Sequence, residues 1–388
     1  MKFYWLVILI LAFTVGCQTE ETKTYSLQEQ AESMVQVHTD SSEQESQSEV
    51  TEQHLPATEK TPESEPESLN EPEPEPEQEH FLEPEPEPSE PPSEPEPEQE
   101  RAPDPVEPDD FEAAYIAAPQ TPREALDWAA SQLPDNKRLL FSLYDFASEE
   151  ALTHKGDKAV FPASLIKTLY LHVFLEEVAH DRQCLDQIYI LQEEDKYAGG
   201  TLVAGMGLLQ HEPAGTEITH RELLTLMVAE SDNVATNIIT GMLGFDLLNE
   251  RIEAYGLKNT KANRRMFDAQ SGHPDNQSSM NDMTTLLALF EEQVYLDEDL
   301  YNKAINIKAD SHNTRIGRYA PQEVLVANKL GNVATLVSDM AIIYFPHREP
   351  IALSIMVQRT DGHRLNRQYG EEIIGNLSGL IMEYYLNS

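Results

Sequence analysis

The chain has 388 residues, 40% of them hydrophobic, and a formal net charge of −42. That balance excludes a protein built to read nucleic-acid phosphates and argues against electrostatic docking on anionic lipid. The acids are unevenly spread: residues 18–112 hold 31 Asp and Glu against Lys23, Lys60 and Arg101, whereas residues 113–388 hold 38 acids against 23 bases.

In chain order, Lys2 precedes an apolar run from Phe3 to Gly16 that ends at Cys17. About 14 residues suit a signal-peptide core and fall short of the ~20 that a membrane-spanning helix needs. Thr14-Val15-Gly16-Cys17 is similar to a bacterial lipobox, so residues 1–16 are expected to be a lipoprotein leader and Cys17 a lipidated N-terminus. An ordinary secretory signal or an uncleaved anchor is the alternative. Cys184 would then be a lone thiol used in packing.

Residues 17–112 are expected to be an acidic, disordered stalk. Sixteen of the 25 prolines lie between Pro56 and Pro108, interleaved with glutamates as in Glu71-Pro72-Glu73-Pro74-Glu75-Pro76-Glu77. Such a segment has too little apolar surface to offset the entropy of ordering it. Proline fixes φ and the glutamates repel, so residues 61–108 would extend as polyproline II, reaching about 150 Å at ~3.1 Å per residue.

The folded part, 113–388, opens at Thr121-Pro122, a cap and first-turn proline that start a helix. Arg138 to Phe146 and Lys158 to Phe161 read as strands, and Ser164 to Glu177 as a buried helix. Helices follow over Arg221–Met227, Asn233–Leu243, Phe245–Ala254, Asp282–Glu292 and Glu298–Ile307. Strands return at Glu323–Asn328, Val337–Tyr344 and Pro350–Val357, and a helix over Glu371–Leu386 closes the chain. Strands early and late with helices between them predict a mixed α/β (α+β) fold. Its sheet is drawn from both chain ends and flanked by helices, and an all-helical subdomain is inserted.

Ser164-Leu165-Ile166-Lys167 carries the chemistry. A serine hydroxyl is a weak nucleophile until a neighbouring base takes its proton, and the three-residue spacing brings the lysine onto the same helical face. The apolar helix that follows would bury Lys167 and lower its pKa toward that of a usable base. Ser231-Asp232-Asn233 follows 67 residues on and Lys329-Leu330-Gly331 after a further 98. Alone, Ser-Asp-Asn also reads as a helix cap.

The order and spacing of these motifs resemble the penicillin-recognising serine enzymes, class A β-lactamases and related D,D-peptidases. The stretches Gly205-Met206-Gly207, Glu222 to Glu230 and Val234 to Asn237 extend the likeness, which covers residues 120–388. The resemblance implies a β-lactamase/transpeptidase-like fold and a serine hydrolase without metal or organic cofactor. Ser164 would be the nucleophile, Lys167 the base, Ser231 the proton relay and Asn233 a binder of the substrate amide. Lys329 and Gly331 would lie at the substrate carboxylate, and the N–H groups of Asn332 and Ser164 would form an oxyanion hole. Arg315 is either a carboxylate-binding arginine or a surface charge. A β-lactam or a peptidoglycan stem peptide would be the partner.

Two departures stand out. Leu330 replaces the hydroxyl residue of the family's Lys-Thr-Gly. Met266 stands where the family carries the glutamate that activates the deacylating water, leaving Asp268 and Gln270 nearby. A non-catalytic wall-peptide binding module is therefore the competing expectation. Otherwise the chain is a slow-releasing acyl-transfer enzyme, lipid-anchored outside the bacterial cell membrane.

Overall fold

The structure is a computed structural model that describes residues 121–268, 270–292, 296–309 and 314–388. The leader, Cys17 and stalk expectations lie outside the described residues. Helix α1 (Pro122–Ser131) begins as the sequence predicts: Thr121 is extended and its side chain accepts from the Glu124 N–H, with proline in the first turn. Strands β1 (Lys137–Asp145) and β2 (Glu150–His154) form a hairpin. A 3-10 turn (Ala163–Ile166) leads into α2 (Lys167–Ala179).

Two small ribbons follow. Strand β3 (Ile188–Ile190) pairs with β6 (Glu217–Thr219), and β4 (Tyr197–Ala198) with β5 (Thr201–Leu202). Helices α3 (His220–Val228), α4 (Asn233–Leu243), α5 (Phe245–Ala254), α6 (Met280–Glu291) and α7 (Glu298–Ala309) come next. Strands β7 (Leu325–Val333), β8 (Leu336–Phe345) and β9 (Arg348–Arg359) precede the closing helix α8 (Arg367–Asn387).

The main sheet runs β2-β1-β9-β8-β7 and is antiparallel throughout. Two strands come from the start of the domain and three from its end, as the strand–helix–strand pattern predicts. Both faces are covered, which is why its central strands read as continuous apolar runs. Along β1, Leu139, Phe141 and Leu143 pack toward α1 and α8 against Ile373, Ile374, Leu377 and Ile381. Leu140 points the opposite way, into the core shared by α2, α3, α4, α6 and α7. Each such large side chain stabilises the fold by about 1.5–3 kcal/mol relative to exposure.

Two expectations change. The strand predicted at Lys158–Phe161 reduces to one bridge: Val160 N–H donates to Ser278 O at 2.8 Å and Ser278 N–H donates back to Val160 O at 2.9 Å. Strand β2 was not predicted; it is a mostly exposed edge strand with no apolar alternation to betray it.

Candidate active site

The site forms where the 3-10 turn before α2, the start of α4 and strand β7 converge. Ser164 sits half-buried in that turn, and Lys167 is the first residue of α2. In a 3-10 turn residues three apart eclipse one another, so the spacing keeps serine and lysine on one side more directly than an α-helix would. Ala163, just before the serine, has φ +48°, a left-handed conformation rare for a non-glycine residue. Backbone strain of this kind persists only where the surroundings over-determine it, and it concentrates at functional sites.

Lys167 is fully buried. Its amine donates to Ser231 O at 2.7 Å, Asn233 Oδ1 at 3.0 Å and Ser231 Oγ at 3.2 Å. Burial pushes it well below the ordinary lysine value. The nearby Lys329 charge pushes the same way, and Asp232 opposes both. The neutral amine beside two serine-bearing motifs is thus favoured relative to that of an ordinary, solvated lysine. No hydrogen bond links the Ser164 hydroxyl to a protein group among the described residues.

Ser231 is also strained, at φ +56°, and half-buried. Asp232 caps α4: its carboxylate accepts from Ala235 N–H at 2.8 Å, Leu208 N–H at 2.7 Å and Leu209 N–H at 2.9 Å. The cap role and the site role therefore coexist, because the cap ties the 203–209 loop to the motif. That loop passes so close that a Cβ on Gly207, at φ +126°, would lie 2.4 Å from the Asp232 carboxylate. Asn233 completes the tie: its side-chain amide donates to Ala204 O at 2.9 Å and its backbone N–H to Met206 O at 3.1 Å.

Strand β7 lies against the nucleophile's turn. A Cβ on Gly331 would meet Ser338 Oγ at 2.7 Å, and the Leu165 side chain and Pro162 O at 3.2 Å, so only glycine fits. Lys329 is buried and donates to the Leu330 carbonyl at 3.1 Å. Burial lowers it to about 7, with Asp339 opposing and Arg315 adding to the shift. Leu330 is half-buried, and Asn332 is exposed.

Arg315 is fully buried, which sets aside its reading as a surface charge. Its guanidinium donates to Gly331 O at 3.0 Å, Ser338 O at 2.7 Å, Asn332 Oδ1 at 3.1 Å and Glu371 Oε1 at 3.3 Å. It braces β7 against β8 and α8.

The loop that carries Met266 is held by its backbone. Met266 N–H donates to Asn237 Oδ1 at 2.7 Å, and Asn237 Nδ2 donates to Met266 O at 3.0 Å. The half-buried Met266 side chain packs against the helical core. Asp268 accepts from Ser271 N–H at 3.2 Å and lies against the Gly199 backbone of the β4–β5 turn. No hydrogen bond joins Asp268 to Ser164 or Lys167 among the described residues. Gln270 is exposed.

Sequence reasoning missed Asp339, Lys308 and the clamp made by Asn237. Asp339 is buried and accepts from Ile316 N–H at 3.0 Å and Asn328 Nδ2 at 3.1 Å. Burial raises it to about 6, while Arg315 and its hydrogen bonds oppose the shift. Lys308 is buried and lowered to about 7 by desolvation and by Lys329. Asp339 carried one usable signal, a lone charge inside the apolar run of β8. Among the described residues no group of three or more His, Cys, Asp or Glu is placed to hold a metal.

A helix-flanked antiparallel sheet with a Ser-x-x-Lys turn wedged between β7 and α4 defines the scaffold of a serine hydrolase of the class A β-lactamase-like kind. The profile of the beta-lactamase enzyme family matches residues 128–385, and the chain belongs to that family. It is similar to beta-lactamase VEB-1 of Pseudomonas aeruginosa, with 24% identity over 189 residues, 45% of this chain and 62% of that protein. Less than two thirds of that relative's length is thus matched. Among solved structures, a beta-lactamase from Sphaerobacter thermophilus superposes with a TM-score of 0.60 at 22% identity, covering 68% of this chain and 95% of that one. PBP-A gives 0.61 at 22% identity, covering 69% and 96%. A leucine-to-glutamate mutant of PBP-A, described as an acyl-enzyme complex with penicillin G, gives 0.61 at 23% identity with the same coverage. At these identities the structural likeness shows the fold.

Proposed function

We propose that this chain is a serine acyl-transfer enzyme of the cell envelope, acylated at Ser164 by a β-lactam or a D-Ala-D-Ala-like wall peptide and slow to release the acyl group. The observation that carries the reading is the Lys167 amine, fully buried, bonded to Ser231 and Asn233 and held well below the ordinary lysine value by its burial. Lys167 takes the Ser164 proton as the Oγ–acyl bond forms, and Ser231 passes a proton to the leaving nitrogen. The N–H groups of Ser164 and Asn332 stabilise the oxyanion, and Lys329 supplies positive charge. The relative named as a beta-lactamase and the neighbour described as a penicillin-G acyl-enzyme support this class of acyl donor.

The competing reading, a wall-peptide binding module without turnover, draws on Met266 and Leu330. Intact-mass spectrometry with a penicillin separates the two. One adduct is expected on the unmodified chain and none on Ser164→Ala. An equal adduct on Ser164→Ala would remove the basis of the mechanism.

The acidic Glu-Pro segment is read as a spacer that carries the domain away from a lipid-anchored Cys17, outside the membrane. In the native membrane fraction, Cys17→Ser is expected to lose the diacylglyceryl mass and the membrane association together. Retention of that mass would assign the lipid elsewhere.

A further inference from the structure

Resting on acylation at Ser164 and on Lys329 as the positive charge of the site, we infer that Lys308 is a positioning residue. Its amine and that of Lys329 form a buried pair on one face of β7, and an anionic acyl donor enters the site together with a proton taken up by that pair.

The face that each group occupies follows from the alternation of side chains along a strand. Lys329 pairs across the strands with Met340 and lies two residues from Ala327, and both of these belong to the helical-side core. Asp339 pairs with Leu330, and its neighbours Val337 and Ala341 belong to the opposite core, against α8. Lys308, in the last turn of α7, comes to the face that holds Lys329. Helix α7 packs on β7, and its Ala304, Ile305 and Ile307 lie in the helical-side core.

Packing does not explain Lys308. It is fully buried, and its Nζ has no hydrogen-bond partner among the described residues. The amine lies over the Phe290 ring, 5.7 Å from the centroid, near the outer limit of a cation–π contact. An apolar residue of similar size would fill the space without the cost of a buried, unpaired charge.

The surrounding charges keep the pair on the edge of protonation. Burial and Lys329 push Lys308 down and Asp339 opposes from across the sheet, leaving it at about 7. Burial and Arg315 push Lys329 down against the same Asp339, leaving it also at about 7. His172 of α2, its ring 4.4 Å from that of Phe290, is held well below its ordinary value by burial and by Lys308, so it adds no charge. Helices α3 and α6 add none to the balance at Lys308. Asp339 is already engaged by Ile316 N–H at 3.0 Å, by Asn328 Nδ2 at 3.1 Å and by the Arg315 charge. Two amines therefore share one carboxylate that stands on the far face.

An anion at Lys329 supplies the charge missing from the near face. Among the described residues that amine makes one hydrogen bond, to the Leu330 carbonyl, so two of its N–H groups remain for a ligand. An added negative charge favours the protonated form of both amines, so binding draws a proton from solvent onto the pair. The Ser164 proton is separate and still leaves with the departing nitrogen.

The experiment measures second-order acylation rates at Ser164 by intact-mass spectrometry, for benzylpenicillin and its neutral methyl ester, from pH 6 to 9. It uses the full chain and Lys308→Met. The ratio of free-acid to ester rate cancels the contribution of Lys167 and any general loss of packing. In the parent this ratio is expected to fall about a hundredfold over the range, about tenfold for each of two charges lost. In Lys308→Met the fall is expected to shrink to about tenfold. The variant should also melt at a higher temperature than the parent at pH 7. Lys308 sits at about 7 in the folded chain against an ordinary value of 10.5, so the parent loses stability as pH falls through that interval. The two melting temperatures should converge at about pH 11. Lys308→Gln, which keeps a polar head without the charge, gives the same comparison if the methionine variant does not fold. An equal fall of the ratio in parent and variant, or a ratio in the parent that is flat with pH, overturns the inference and leaves Ser164 acylation standing. No adduct from either donor overturns the acylation reading itself.

Discussion

Lys167→Ala is expected to slow acylation of Ser164 by about 10²- to 10⁴-fold, the range that a positioned general base supplies. The amine occupies a fully buried place and holds Ser231 and Asn233, so the variant also needs a check of its thermal unfolding against the parent. The unmodified chain provides an independent signature in its pH dependence. Below its depressed pKa the Lys167 amine is protonated and cannot accept the serine proton. The acylation rate should therefore rise with pH and level off, with an inflection well below the ordinary lysine value of 10.5. Lys329, lowered to about 7, loses its charge around that pH. Any residual help it gives to an anionic donor should fade there, while a neutral donor keeps its rate. A flat profile from pH 6 to 10 for both donors would argue that neither lysine titrates in the reaction.

Much of this was readable before the structure because local signals and global fold agree. Helices α4 and α5 begin and end where the sequence places them. Asp232 caps the first through Ala235 N–H, and Gly244 at φ +75° separates the two. Strands β1, β8 and β9 announce themselves as apolar runs because helices cover both faces of the sheet. The failures have a common physical origin in contacts distant along the chain. Strand β2 is polar and depends on its pairing with β1. Arg315 is buried only because Gly331, Ser338 and Glu371 arrive to satisfy it from 16 to 56 residues away. Asn237, read as part of a motif, turns out to clamp Met266 across 29 residues. Ser164 and Lys167 were legible as a pair. The strain at Ala163 and Ser231 that frames them was not, since neither residue type signals a positive φ.

The last expected result concerns Met266, the position that the sequence resemblance pairs with the family's water-activating glutamate. A chromogenic cephalosporin should give one rapidly released equivalent per chain and then a slow steady state, because a water attacking a serine ester needs a base within about 3 Å. Met266 has none to offer, and its side chain packs into the helical core instead. Asp268 is the nearest carboxylate along the loop, yet it accepts from Ser271 N–H and rests against Gly199. Asn237 grips the Met266 backbone at both its N–H and its carbonyl, so a new side chain at this position inherits a fixed backbone. Met266→Glu is therefore expected to shorten the acyl-enzyme lifetime and raise steady turnover, up to the 10²- to 10⁴-fold that a general base contributes. The acylation burst should stay the same size, since Ser164 and Lys167 are untouched. Asp268→Asn in the unmodified background supplies the control and should leave the slow phase unchanged. Fast steady turnover by the unmodified chain, lost in Asp268→Asn, would assign the water to Asp268 and retire the account given for Met266.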